Sequence, residues 1–182
     1  MALRATIYKA DLNIADTDRN YYASHNLTVA RHPSETDERM MVRLVAFALQ
    51  ASDELAFTKG LSETDEPDLW AKDLTGAISL WVDVGQPEER RILRACGRAD
   101  QVVIYCYGGH ASQIWWDGVR NKVERARNLR VVNLPAEQSR ALGELAERGM
   151  QLNINISDGV VYVSAAKGEV TLEPQDWREA RA

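Results

Sequence analysis

Apolar and polar residues alternate imperfectly through RATIYKADLNI, and NLTVARH is rich in β-branched residues. Residues 2 to 12 and 22 to 31 are therefore expected to form two strands. Asp16-Thr17-Asp18-Arg19-Asn20 supplies turn chemistry between them, so the chain should open with a hairpin. HPSETDERMMVRLVAFALQAS changes to a helical period, with Met41, Leu44, Val45, Ala48 and Leu49 on one stripe. Ser34 is the expected cap, with Asp37 three residues on as in a capping box. Glu38 lies close to the apolar stripe, and Glu35 is one turn further back.

The period of two returns in AISLWVDV, preceded by a short strand expected at 69 to 73 and a turn at Leu74-Thr75-Gly76. Ile78, Leu80, Val82 and Val84 share one face of that strand; Ser79, Trp81 and Asp83 share the other. PEERRILRACGRA follows as a helix with Pro87 near its first turn. QVVIYCYG and NLRVVNLP are nearly continuous apolar runs, as in strands buried on both faces. Helices are predicted over SQIWWDGVRNKVERAR and AEQSRALGELAERG, and a closing hairpin turns at Asp158-Gly159. This order predicts an α/β protein in which residues 1 to 182 form a single domain, with a central mixed sheet flanked by helices.

Composition agrees with a folded chain: 45% of the 182 residues are hydrophobic. No apolar run is long enough to cross a bilayer, and the N-terminal residues lack the apolar block of a secretion signal. A cytoplasmic protein with no membrane partner is expected. Cys96 and Cys106 have neither the number nor the spacing of a disulfide framework and read as buried thiols. The net charge of −5 argues against a uniformly basic nucleic-acid binder but leaves room for a local basic surface.

Charge placement sharpens this picture. Asp68 precedes the hairpin, and Asp83 sits near the end of its second strand, so the hairpin should bring them close. Two carboxylates facing one pocket are the minimum for Mg²⁺ or Mn²⁺ in phosphodiester chemistry, with Glu38 or Glu35 as a candidate third acid. A cation normally completes such a site, but Gly85 stands two residues after Asp83. Gln86 would turn inward if the chain bends at Gly85 and Pro87, and Lys72, Arg90 or Arg91 are the candidate replacement cations. Arg90, Arg94 and Arg98 recur at helical spacing with Arg91 beside them, a candidate phosphate-contacting stripe. Arg120, Lys122, Arg125, Arg127 and Arg130 make a second basic cluster. Each feature has a plainer reading: acids near turns are commonly solvated or capping, and such arginines pair with neighbours such as Glu88 and Glu89. His110 and the aromatic residues around it read as packing. No phosphate-binding loop, dinucleotide fingerprint or nucleophile elbow is present.

Several stretches carry a resemblance to a known family. ALRATIYKADLNIADTDRNYY, ARHPSETDERMMVRLVAFAL, TDEPDLW, LWVDVGQPEERRI and QIWW resemble the YaeQ family, small cytoplasmic proteins of Gram-negative bacteria. The resemblance runs nearly end to end. It implies a core like that of the PD-(D/E)XK nucleases, with Pro67-Asp68 in the Pro-Asp place and Asp83-Val84-Gly85 in the acid-x-lysine place, lysine being absent. Glu38, or less favourably Glu35, takes the helix-acid place. Two functions follow as expectations. One is a magnesium-dependent nuclease-like protein using Glu38, Asp68, Asp83 and Gln86, with Asp68 and Asp83 holding the metal. The other is a non-catalytic module binding DNA, RNA or a transcription-related protein, the basic stripe Arg90, Arg91, Arg94 and Arg98 being its contact surface.

Overall fold

The computed structural model describes residues 4–59 and 64–181. The beginning of the first expected strand, residues 2 and 3, lies outside the described residues. The protein is α/β, with helices flanking mixed sheets. Among the described residues, eleven strands are divided between two sheets, where the sequence pointed to one. The chain separates into two compact units: Met1–Leu49 with Glu137–Pro174, and Gln50–Ala136 with Gln175–Ala182. No described helix is long and apolar enough to cross a membrane.

In the first unit, β1 (Thr6–Asp16) and β2 (Tyr21–Arg31) form the expected antiparallel hairpin. Asp16 closes its turn, accepting from the Arg19 backbone N–H at 3.0 Å and from Arg19 Nε at 2.7 Å. β8 (Gly149–Ser157) pairs in parallel with β1, and β9 (Val160–Ala165) and β10 (Gly168–Leu172) extend the sheet to the order β10-β9-β8-β1-β2. The Asp158-Gly159 turn holds, both residues taking positive φ (52° and 75°) as a tight hairpin turn requires. The last segment thus contains three strands, one more than the hairpin expected from its alternation.

Helix α1 (Asp37–Gln50) starts later than expected. Its cap is Thr36, whose Oγ1 accepts the Arg39 N–H at 3.1 Å, whereas the Ser34 hydroxyl pairs with His32 Nδ1. Every residue from Met40 to Ala48 is buried, so the middle of this helix is enclosed on all its faces and not only along the expected stripe. α4 (Ala136–Gly143) approaches it closely: a Cβ on Gly143 would lie 2.9 Å from Glu38 Cα.

In the second unit, the sheet runs β11-β7-β6-β5-β4-β3. β4 (Leu69–Lys72) and β5 (Ile78–Val84) make the predicted hairpin, and β3 (Leu55–Phe57) adds an edge that periodicity did not reveal. β6 (Ala99–Tyr107) and β7 (Leu129–Leu134) continue in parallel, and β11 (Gln175–Arg178) closes the other edge. α2 (Glu89–Arg98) and α3 (His110–Val119) contribute Ile92, Ala95 and Trp116 to a core with Trp81, Ile104 and Val131. α3 stops just after Gly118; the predicted helical run from there to Arg127 is a series of turns. Cys106 is buried and Cys96 half-buried; both are free, and burial pushes both thiols up to about 11, so neither is a thiolate at neutral pH.

Candidate functional site

The β4–β5 register pairs Trp70 with Trp81 and Leu69 with Val82, which places Asp68 opposite Asp83 at the top of the hairpin. Both aspartates are buried, so the face they share is not washed by solvent. Asp68 Oδ2 accepts the Val84 backbone N–H at 2.8 Å, tying the two strand ends together. The expected convergence of these two acids is present.

A guanidinium occupies both carboxylate oxygens of Asp83. Arg91, on the exposed-to-buried boundary of α2, donates from Nε to Oδ2 at 2.9 Å and from Nη2 to Oδ1 at 3.0 Å. The same guanidinium reaches the carbonyls of Thr64 (2.5 Å) and Glu66 (2.9 Å). Of the three cations that the sequence offered in place of lysine, Arg91 is the one brought to the acid. Lys72 lies over the Trp70 ring, 3.9 Å from its centroid, and Arg90 faces solvent.

Asp83 is held above the usual carboxylate range. Burial is the main cause, opposed first by the hydrogen bonds and charge of Arg91 and then reinforced by the charge of Asp68. The Trp81 indole N–H is buried without hydrogen-bonding geometry to any partner, yet lies close enough to favour the charged form slightly.

The backbone accounts for the glycine at position 85. Gly85 has φ of +108° and its N–H bonds the Tyr105 carbonyl at 2.9 Å, turning the chain sharply off the end of β5. Nothing lies within 4 Å of where a Cβ would sit, so conformation and not space selects glycine. The bend expected at Gly85 is real, but Gln86 is not free in the site. Its amide donates to the Tyr107 carbonyl, at the end of the neighbouring strand β6.

Glu38 belongs to the first unit, whereas Asp68, Asp83 and Gln86 belong to the second. Its Oε2 accepts from the Ser139 hydroxyl of α4 at 2.9 Å. Glu35 is committed elsewhere in the first unit. It is 4% exposed and binds Arg39 at 2.6 Å and Arg43 through two hydrogen bonds of 2.8 and 2.6 Å.

The α2 arginines divide differently from their expected stripe. Arg91, Arg94 and Arg98 turn toward the segment at 64–66: Arg94 reaches the Asp65 carboxylate at 3.4 Å, and Arg98 donates to the Asp65 carbonyl at 2.8 Å. Arg98 also lies over Trp81, 5.1 Å from the ring centroid. Arg90 makes no ion pair among the described residues. Beyond α2, Lys122 meets Glu89 at 3.7 Å, and Asn128 donates to the Cys96 and Ala99 carbonyls, each at 2.9 Å. The basic segment after α3 therefore runs alongside α2. Arg120, Arg125 and Arg127 are exposed there, without an ion pair or side-chain hydrogen bond among the described residues.

This donor set does not fit a resident divalent ion. Both oxygens of Asp83 are held by Arg91, and one of Asp68 is held by a backbone N–H. Among the described residues no group of three or more His, Cys, Asp or Glu side chains is disposed to hold a metal. As arranged, the cluster anchors the 64–66 segment and α2 to the top of the sheet.

Known proteins place the chain clearly. A family model described as "YaeQ protein" matches residues 1–174. The "Uncharacterized protein YaeQ" of Salmonella typhi and that of Escherichia coli (strain K12) are each 44% identical over 179 residues, covering 98% of this chain and 99% of the relative. The crystal structure of YaeQ protein from Xanthomonas axonopodis pv. citri is similar with a TM-score of 0.93 and 52% identity, covering 97% of this chain and 99% of that one. YaeQ protein from Pseudomonas syringae gives a TM-score of 0.92 at 35% identity, with 98% of both chains covered. Matches of this extent and identity, reached independently by sequence and by structure, make the chain a member of the YaeQ family.

Proposed function

We propose that this protein is a non-catalytic nucleic-acid-binding module, with a PD-(D/E)XK-like scaffold retained for binding. The observation that carries this reading is the disposition of its basic residues. Within residues 120–130, Arg120, Lys122, Arg125, Arg127 and Arg130 stand against the single acid Glu124, in a chain of net charge −5. Three of those guanidinia, with Arg90 on the adjacent helix, are exposed and unpaired among the described residues. Unpaired guanidinia concentrated on neighbouring segments suit phosphate oxygens, which they contact without reading sequence.

The test is fluorescence anisotropy with single-stranded and duplex oligonucleotides across a salt series. Affinity should fall steeply with salt, and Arg120→Ala/Arg125→Ala/Arg127→Ala should flatten the slope by up to about three phosphate contacts. Shallow salt dependence, or a variant indistinguishable from the parent, would overturn the reading and favour a protein partner, such as a transcription-related one.

A second reading rests on Asp68 facing Asp83. Two adjacent buried carboxylates attract a cation, and a Mg²⁺- or Mn²⁺-dependent nuclease-like role would use this pair. It requires Arg91 to leave Asp83. Calorimetry with Mn²⁺ decides it: binding by the parent that Asp68→Asn and Asp83→Asn abolish supports this reading, and no binding by either the parent or Arg91→Gln removes it.

A further inference from the structure

We propose that the open face of the first unit's sheet is a binding surface for a neutral oligosaccharide, independent of the basic surface above. Strand parity creates the surface. Ala10, Leu12 and Ile14 of β1 turn inward and are buried, so Asp11, Asn13 and Ala15 turn outward. The register aligns Tyr162 of β9, Asn155 of β8, Ala15 of β1 and Tyr22 of β2 in one row across four strands. Tyr22 is 60% exposed and Tyr162 47% exposed. They stand three strand spacings apart, roughly 14 Å, with only a methyl group and an amide between them. The adjoining row carries Ser164, Asn153, Asn13 and Ser24.

All residues of these two rows except Tyr162 line an open trough of about 710 Å³ bounded by Tyr22 on one side, and the register sets Tyr162 in the same row beyond Asn155. Its floor is ordered by side chains: Asn13 Nδ2 donates to Asn153 Oδ1 at 3.1 Å, and Ser24 donates to Asn13 Oδ1 at 2.7 Å. The Asn155 amide and the Ser164 hydroxyl make no side-chain hydrogen bond among the described residues and remain available. An exposed tyrosine offers a flat apolar surface with a polar tip. A pyranose ring has matching chemistry, an apolar face of C–H groups and a rim of hydroxyls that both donate and accept, as side-chain amides do.

Charge selects among occupants. Glu169 is the sole ionisable side chain among the trough's lining residues apart from the tyrosine hydroxyl, and no cation lines it. A phosphate-bearing strand would meet no counter-charge there, which counts against nucleic acid on this face. The two separated tyrosines and the amide row also lack the contiguous apolar centre of a stable protein interface.

The experiment is a ¹⁵N–¹H correlation titration of the full chain with cellohexaose, maltohexaose and chitohexaose at millimolar concentration. At least one should shift the amides of Ala15, Asn153 and Asn155. Tyr22→Ala and Tyr162→Ala, both at exposed positions and checked for an unchanged parent spectrum elsewhere, should each weaken that binding about tenfold. Asn155→Ala should weaken it as well. Absence of shifts with all three sugars overturns the proposal, as do shifts that survive both tyrosine substitutions. Binding of oligouridylate through the same tyrosines would overturn it in favour of stacked bases. Self-association lost in Tyr22→Ala would overturn it in favour of a second copy of the chain.

Discussion

Glu35 and Asp83 answer the same physical problem in two ways. Each is a buried carboxylate ahead of a helix, and each is gripped through both oxygens by an arginine eight residues later, Arg43 or Arg91. Glu35 gains a second guanidinium from Arg39, and Arg43 also holds the Ala30 carbonyl at 3.1 Å. Asp83 instead gains a second acid, Asp68. The first cluster has positive charge to spare and is enclosed; the second has negative charge to spare, and its arginine side chain is 29% exposed. Bidentate pairing alone therefore does not mark a functional site. The two clusters share the same bidentate pair and differ in the sign of the surplus charge and in the access of solvent.

Breaking the enclosed cluster should cost most. Glu35→Ala leaves Arg43 buried without its counter-charge, and urea unfolding should show a loss of about 3–5 kcal/mol. Arg91→Gln should cost less, about 2–3 kcal/mol by the same measurement, because solvent reaches the site and compensates part of the lost pairing. It should also loosen residues 64–66, read as faster amide exchange there, since Arg91 holds two of their carbonyls.

Gly85→Lys asks whether supplying the absent lysine converts the second cluster into a cation-assisted site. A lysine at φ of +108° is strained even with open space around it, so the variant should lose about 1–2 kcal/mol without gaining phosphodiester cleavage. Cleavage by that variant with added Mn²⁺ would revive the nuclease-like reading.

The smallest effect is in pH dependence. Asp83 binds its proton more tightly in the folded state than when unfolded, so its contribution to stability is full below the unfolded value of 3.8 and is lost as pH rises through the raised folded value. Measured by urea unfolding, Asp83→Asn should gain on the parent across that window as pH rises. A difference independent of pH would mean that Arg91 fully compensates the buried charge.

Local pattern made much of this legible. The β1–β2 hairpin, the faces of β5, the two central parallel strands and the Asp158-Gly159 turn all follow from periodicity and turn chemistry, because these depend on neighbours a few residues apart. The approach of Asp68 to Asp83 followed from one hairpin. What failed was also local in cause: β3 is too short to show a period, and Thr36 won the helix cap over Ser34 because Ser34 is occupied by His32. Glu35 and Arg43, and likewise Asp83 and Arg91, share an eight-residue spacing that signals nothing until a helix turns the arginine back.

By itself the sequence determined the α/β class, the family, the acid pair and the basic segments, since each is written in residue type and short-range spacing. Only the tertiary structure decided which charges meet. It divided the strands between two sheets, assigned Glu38 and the aspartates to different units, and chose Arg91 from three candidate cations. It also turned Tyr22 and Tyr162, 140 residues apart in the chain, onto one face. Partners at such separations are set by strand order and register, which come from the packing of the whole chain and leave no short-range mark in its sequence.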